Sequence, residues 1–107
     1  MRWTVVFHDE RAVAEYDALP DDVRARFVRI TQHIAAAGLE QVREPYVKHL
    51  QGKLWEMRMK GKDGIARAIY VTATGRRIVV VRVFTKKSQK TPRSEIELAL
   101  KRAREVT

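Results

Sequence analysis

The amino-acid sequence predicts one α+β domain in which helices pack on a twisted, mainly antiparallel sheet. Two observations support this fold class: apolar residues recur with helical spacing near both ends of the chain, and with period-two alternation between them. The chain has 107 residues, close to the commonest domain size, and 45% of them are hydrophobic. We therefore interpret residues 1–107 as a single domain with the element order β-α-α-β-β-β-α.

A strand and a short helix are predicted to open the chain. Trp3, Val5 and Phe7 occupy every second position, which is typical of a strand. The pair Asp9-Glu10 follows and suits a helix N-terminus, where the helix dipole favours negative charge. The first helix is expected to continue through Tyr16, which we interpret as a packing residue.

The second helix is predicted between Pro20 and Gly38. Its apolar residues recur at spacings of three and four and therefore lie on one helical face: Val23, Phe27, Ile30 and Ile34. Gly38 is placed as a C-cap. The two helices form a hairpin whose apolar side needs a sheet to cover it, and His33 is interpreted as a surface residue.

Three strands are predicted after an irregular segment at 40–52. They lie in KLWEMRMK, IARAIYVTA and IVVVRVF, and the short turns GKDG and ATGRR between them imply an antiparallel meander. In the first strand Trp55, Met57 and Met59 alternate with charged residues, which predicts one buried face. The second strand is apolar on both faces, which predicts a central position.

The last helix is predicted to start at Thr91-Pro92. Thr91 suits the N-cap and Pro92 the first helical position. One helical face is apolar: Ile96, Ala99, Leu100 and Ala103.

Several classes of site and location are excluded or disfavoured. The chain has no cysteine, which excludes disulfides, thiolate metal sites and cysteine nucleophiles. His8, His33 and His49 lie far apart and have no partner at a ligand spacing, so neither a metal nor another cofactor is expected. No apolar run approaches the ~20 residues that span a bilayer, and the chain turns acidic too early for a signal peptide. We expect a cytoplasmic protein with no membrane partner.

Positive charge is concentrated after residue 40. The formal net charge is +9, and 22 of the residues are Lys or Arg. Residues 1–40 are slightly acidic, so the excess of positive charge lies in residues 41–107. This distribution favours a nucleic-acid partner, because clustered cations attract and hold phosphates. A basic protein without such a partner is the alternative at this level.

Basic residues gather on the predicted strands and can converge at one edge of the sheet. They are Arg58 and Lys60, which share the polar face of their strand with Glu56; Arg67 on the central strand; and Lys86 and Lys87 after the last strand. Guanidinium groups bind phosphate in a bidentate manner and stabilise developing negative charge. Each residue also has a structural alternative: Arg58 can pair with Glu56, Arg67 can be a salt-bridge partner, and Lys60 can be a solvated turn residue.

The succession KHLQGKLWEMRM, ARAIYV and VVVRVFTKKSQKTPRSEIELALKRAREV resembles the RelE/HigB-like toxins of bacterial type II toxin–antitoxin systems. It is most similar to the branch first described from phage proteins. The motif LWE-x-R, an arginine on the next strand and an FxKK–TP segment carry the resemblance most specifically, within 48–106. The resemblance implies a RelE-like fold and a metal-independent ribonuclease that cuts messenger RNA in the ribosomal A site. The 2′-hydroxyl would attack the neighbouring phosphate and leave a 2′,3′-cyclic phosphate. A cognate antitoxin, often with a helix-turn-helix domain, would neutralise the toxin and join it on operator DNA.

The resemblance also implies roles for individual residues. Arg58, Arg67 and Lys87 fall at basic active-site positions of the family, whereas Glu56 stands where well-known members have a lysine. The tyrosine that some members use near the last helix has no counterpart, so Glu56, His49 or a lysine with a lowered pKa are the candidates for the general base. RNA-binding roles are expected at four lysines: Lys48, Lys60, Lys86 and Lys90.

Two other functions remain open from the sequence. A ParE-like toxin that inhibits DNA gyrase has a related fold, and fold alone does not define function. A catalytically inactive protein that binds an antitoxin is the other alternative.

Overall fold

The computed structural model describes residues 2–86 and 90–106. In chain order the elements are β1 (Thr4–Phe7), α1 (Glu10–Asp17), α2 (Asp21–Ala37), a 3₁₀ turn (Leu39–Gln41), β2 (Val47–Gln51), β3 (Leu54–Gly61), β4 (Gly64–Ala73), β5 (Arg77–Lys86) and α3 (Arg93–Ala103). Among these helices, none combines the length and the apolar character required to cross a membrane.

The five strands form one sheet in the order β1-β5-β4-β3-β2. The pairs β2–β3, β3–β4 and β4–β5 are antiparallel, and β1 is parallel to β5. The predicted α+β class, the meander and the central position of β4 are therefore confirmed. A register shift between Ile69 and Tyr70 marks a bulge in the β4–β5 pair, which is typical of a strongly twisted sheet.

The prediction that 40–52 is irregular is wrong, because the segment contains β2. Val47 lies opposite Met57 and Lys48 lies opposite Glu56. This strand adopts its conformation through backbone pairing with β3. Val47 is its fully buried residue and Leu50 is half-buried, so the strand carries little hydrophobic alternation to predict it.

The helix α2 covers one face of the sheet, as its apolar stripe predicts. Val23, Phe27, Ile30 and Ile34 are all buried against residues of β3, β4 and β5. The ring of Tyr16 joins this core, with its centroid 5.2 Å from that of Phe7 and 4.9 Å from that of Phe27. The packing role predicted for Tyr16 is confirmed.

The helix α3 covers the opposite face. Its predicted apolar face packs on Leu54, Ile69 and neighbouring residues of β4 and β5. Arg102 is almost fully buried and donates to Glu15 Oε1 and to the Val81 carbonyl, both at 2.9 Å. Arg102 therefore links α3 to α1 and to β5.

The start of α3 differs from the sequence prediction. Pro92 occupies the N-cap position, and no side chain caps the helix. The predictions that Thr91 is the N-cap and that Pro92 is the first helical residue are therefore wrong. The hydroxyl of Thr91 instead donates to Glu56 Oε2 at 2.6 Å, which fixes this end of α3 to the sheet.

Candidate active site

The sheet brings the two predicted strand arginines together. Arg58 of β3 is the register partner of Arg67 of β4. Both lie on the face of the sheet that α3 covers. Along its strand, each is an even number of positions from a residue that packs against α3: Leu54 for Arg58 and Ile69 for Arg67. Lys87, the third residue predicted to be catalytic, lies outside the described residues, as does the side chain of Lys86.

A buried hydrogen-bond network connects β3, β4 and the start of α3. Arg58 donates through Nε to Glu56 Oε1 at 2.9 Å, and Arg67 donates through Nη1 to Thr91 Oγ1 at 3.1 Å. The hydroxyl of Thr91 in turn donates a hydrogen bond to the second oxygen of Glu56. The two carboxylate oxygens of Glu56 therefore accept hydrogen bonds from Arg58 on the same strand and from Thr91 just before α3.

This network lies almost entirely out of water. Glu56 and Arg67 are fully buried and Thr91 is 5% exposed, whereas the side chain of Arg58 is 22% exposed. The prediction of a single buried face on β3 is therefore wrong at two positions, because Glu56 is buried beneath the start of α3 and Trp55 is 39% exposed. Burial lowers the pKa of Arg67 below its ordinary value, and the negative charge of Glu56 opposes that shift. A buried charge is tolerated when it is paired and hydrogen-bonded, and Glu56 supplies the opposite charge.

A groove of about 380 Å³ opens above the network. Four of the residues predicted for the site line it together with Glu56: Lys48, His49, Arg58 and Lys90. Arg67 does not line the groove, because Thr91 and Glu56 lie over it. Lys60 lines a separate cavity that shares Arg58 with the groove. The groove thus places cationic side chains around a space into which a phosphate fits.

His49 lies on β2 beside this groove, but its ring is on the other face of the sheet, because its register partner is Trp55 and not Glu56 or Arg58. Its Nε2 lies 2.8 Å from the Gly52 carbonyl, and its ring centroid lies 4.9 Å from that of Trp55. A carbonyl oxygen only accepts, so Nε2 carries the proton in this contact and Nδ1 is left as an acceptor. An imidazole in this tautomer can take up a proton at Nδ1.

His49 also lines a larger cavity of about 520 Å³ at the edge strand β2. Val47, Trp55 and Tyr70 form part of its wall. Burial raises the pKa of Tyr70 far above its usual range, so its hydroxyl stays protonated. No side chain or backbone group of the described residues bonds that hydroxyl.

A possible metal-binding group lies far from the groove, where β1 ends. His8, Asp9 and Glu105 have ligand atoms within 4.8 Å of one another. Spacing along the sequence does not indicate this group, because Glu105 lies 97 positions from His8, whose Nε2 is 2.8 Å from Glu105 Oε1. Arg11 also binds both carboxylates and lowers the pKa of Asp9 chiefly through its hydrogen bond. A cation at this position would have to compete with that guanidinium.

Sequence reasoning missed Thr91 as a member of the site. A threonine before Pro92 suits an N-cap, and nothing local indicates that its hydroxyl is used elsewhere. Its partners Glu56 and Arg67 lie 35 and 24 positions away along the chain. The FxKK–TP motif is the signal in the sequence that includes this residue.

Three helices on a five-stranded, mostly antiparallel sheet give the architecture of a RelE-like fold. The family model described as "Phage derived protein Gp49-like (DUF891)" matches residues 14–104. Two relatives carry the name "Probable endoribonuclease HigB1", from Mycobacterium tuberculosis strains CDC 1551 / Oshkosh and ATCC 25618 / H37Rv. Each is 31% identical over 88 residues, which is 82% of this chain and 67% of the relative. The chain therefore belongs to the Gp49-like family of RelE/HigB-like toxins.

Proposed function

We propose that the protein is the toxin of a type II toxin–antitoxin system and acts in the cytoplasm as a metal-independent, ribosome-dependent endoribonuclease that cleaves messenger RNA. The single observation that carries this proposal is the groove in which Lys48, His49, Arg58 and Lys90 meet above a buried charged network. Membership of a family with relatives named as probable endoribonucleases supports the reaction type.

Arg58 is the residue best placed to bind the scissile phosphate. Its Nε is fixed by Glu56, and its side chain is the most exposed part of the charged network. A guanidinium held in this way loses little freedom on binding, and it matches the geometry of a phosphate. Lys48 and Lys90 would hold flanking phosphates, as would Lys60 and Lys86, and Lys87 would contact the scissile phosphate together with Arg58.

Glu56 and Arg67 act as positioning residues in this proposal. Both oxygens of Glu56 already accept hydrogen bonds, and burial keeps the carboxylate away from a substrate hydroxyl. Arg67 holds Thr91, which in turn holds Glu56. Arg58, Arg67 and Glu56 together carry one net positive charge beneath the groove, where it stabilises a phosphorane-like transition state.

His49 is the proposed general base, and its ring would reach the groove around the free edge of β2. Its Nδ1 takes the proton of the 2′-hydroxyl, the 2′-oxygen attacks the neighbouring phosphorus, and the bond from phosphorus to the 5′-oxygen breaks. An ammonium group such as that of Lys90 donates a proton to the leaving oxygen. The products are a 2′,3′-cyclic phosphate and a 5′-hydroxyl, so atoms and charge balance without a metal-bound water.

The reaction is tested by incubating the purified protein with a messenger RNA, alone and on programmed ribosomes. We expect cleavage on the ribosome, a 2′,3′-cyclic phosphate end, and loss of cleavage when a 2′-deoxynucleotide replaces the residue at the cut. Arg58→Ala is expected to lower the rate constant about 10²- to 10³-fold and His49→Asn about 10²- to 10⁴-fold. Arg104→Ala, in an exposed residue outside the groove, is the matched control.

Two results would contradict the proposal. The first is cleavage at the wild-type rate by both Arg58→Ala and His49→Asn. The second is an intact messenger RNA together with inhibition of gyrase supercoiling, which would identify a ParE-like toxin instead.

The proposed partner is a cognate antitoxin, and it would recruit the toxin to operator DNA through a helix-turn-helix domain. Expression of the chain alone should arrest growth, and co-expression of the neighbouring small reading frame should restore it. Normal growth on expression of the chain alone would favour the catalytically inactive alternative.

A further inference from the structure

An exposed tyrosine stands beside the candidate active site. Tyr46 is 46% exposed and directly precedes β2. Its carbonyl accepts a hydrogen bond from the backbone N–H of Arg58 at 2.8 Å, which fixes its position next to the active-site strand. An exposed aromatic ring on a fixed backbone loses little entropy when another ring stacks on it.

Two cavities meet at Tyr46 and extend from the active-site strand to α2. One, of about 320 Å³, is lined by Arg26, Pro45, Tyr46, Arg58, Lys60 and Ile65. The other, of about 310 Å³, is lined by Arg26, Arg29, Ile30, His33, Val42 and Tyr46. They share Arg26 and Tyr46, and the first shares Arg58 with the active-site groove. Within the described part of the chain, no carboxylate lines either of these cavities.

Two arginines of these cavities, Arg26 and Arg29, differ from the arginines that pair with carboxylates elsewhere in the described residues. Arg24, on the same helix, pairs with Asp21, and Arg102 pairs with Glu15. In residues 2–86 and 90–106, Arg26 and Arg29 form no salt bridge with a carboxylate. They are also neighbours of each other, one helical turn apart on α2. Like charges at this spacing repel each other and destabilise the helix slightly, so their placement has a cost that a bound anion would remove.

We propose that these residues form a second RNA-binding surface that continues the active-site groove around the edge of the sheet. This surface, which we call the Tyr46 surface, consists of Arg26, Arg29, His33, Tyr46 and Lys60. Arg26, Arg29 and Lys60 bind successive phosphates of a single strand, and one base stacks on Tyr46. The inference rests on the proposed function, because it assigns the same RNA strand to both surfaces.

The chemistry of the surface matches single-stranded RNA better than a protein partner. Proteins that hold single strands combine a cationic track with exposed aromatic rings on which bases stack. The centre of a protein–protein interface is depleted of charge, whereas here arginines surround the tyrosine. The Tyr46 surface therefore has the composition of a nucleic-acid track.

The test measures binding of the full-length protein to 2′-O-methylated single-stranded RNA, which lacks the attacking hydroxyl and stays intact. One probe of about 12 nucleotides is long enough for both surfaces, and one of about 4 is long enough for one of them. Affinity is measured over a series of salt concentrations. The variants are Arg26→Ala/Arg29→Ala, Tyr46→Ala and Tyr46→Phe. The matched control, Lys101→Ala/Arg104→Ala, removes two exposed charges from α3 on the opposite face.

For the longer probe we expect Arg26→Ala/Arg29→Ala to reduce the slope of log affinity against log salt by about 1.4, since each lost phosphate contact contributes about 0.7. Tyr46→Ala should weaken binding about 5- to 150-fold, and Tyr46→Phe should keep the wild-type affinity because stacking is retained. The shorter probe should lose less affinity than the longer one in every variant, because it can still occupy the active-site groove alone. The control pair should leave the slope for the longer probe unchanged.

The proposal is overturned if Arg26→Ala/Arg29→Ala and the control pair change affinity and slope to the same extent. It is also overturned if the pair abolishes antitoxin binding while RNA binding is unchanged, because the surface then serves a protein. Arg26 and Arg29 are exposed, so their replacement is not expected to disturb folding. The comparison of Arg26→Ala/Arg29→Ala with the control pair therefore decides the question even if Tyr46→Ala fails to fold. Failure of the nuclease proposal gives a different result. Neither the wild type nor any variant would then cleave a natural RNA, whatever the affinity of each protein for these probes.

Discussion

Replacing Thr91 with valine tests the buried network most directly. Valine has nearly the shape of threonine but lacks the hydroxyl that donates to Glu56 at 2.6 Å and accepts from Arg67 at 3.1 Å. Both partners are fully buried, so water cannot readily replace the lost hydrogen bonds. The substitution therefore leaves a carboxylate oxygen and a guanidinium N–H unsatisfied.

The magnitude follows from the two hydrogen bonds that Thr91 makes. A hydrogen bond to a charged group contributes about 1.5–3 kcal/mol, and two at the lower end give about 3 kcal/mol. We expect Thr91→Val to lower the free energy of unfolding by this amount. Thr91→Ser keeps the hydroxyl and loses one methyl group, so it should cost about 1 kcal/mol.

Thr91→Asp separates the network from the capping role that the sequence predicts. Aspartate is among the best N-cap residues, so a cap would tolerate it well. In the network it would place a second carboxylate within hydrogen-bonding distance of Glu56, where like charges repel. Urea unfolding at pH 7, followed by circular dichroism, measures all three variants. A loss below about 1 kcal/mol for Thr91→Val, together with unchanged stability for Thr91→Asp, would refute the reasoning.

Two further predictions concern other parts of the fold. Gly61→Ala should lower the free energy of unfolding by about 1–3 kcal/mol, because its new methyl group would overlap Val23 Cγ2 beneath α2; urea unfolding measures this, and a neutral effect would show that α2 shifts freely. Hydrogen bonds, chiefly from His8 and next from Arg11, lower the pKa of Glu105 below its ordinary value of 4.5. Glu105 therefore stabilises the fold above that pH, and this stabilisation is lost as the pH falls. Glu105→Gln should therefore flatten the acid side of the stability profile, whereas Glu40→Gln, at an exposed position, should not; identical profiles for Glu105→Gln and wild type would contradict the assignment.

The main elements of the fold were predictable because their signals are local. The apolar stripe of α2 and the alternation of Met57 and Met59 each follow from the geometry of one element, and these residues are buried in the core between α2 and the sheet. The adjacency of Arg58 and Arg67 was also predictable, since a short turn between antiparallel strands fixes their register.

The features that the sequence did not predict depend on partners far along the chain. The strand β2 requires the free edge of β3, and the hydroxyl of Thr91 can bond Glu56 only after α3 has packed on the sheet. The burial of Arg67 has the same cause, and it is the reason that we propose a positioning role for this residue in place of a phosphate contact.

The sequence by itself determined the class of fold, the order of most elements and the two strands that carry Arg58 and Arg67. Only the tertiary structure decided which cations reach the groove, which are buried beneath it, and that Tyr46 lies among arginines from α2. The physical reason is that periodicity records which face of an element is apolar. It does not record which distant groups meet there, and hydrogen bonds, burial and charge compensation depend on those distant groups.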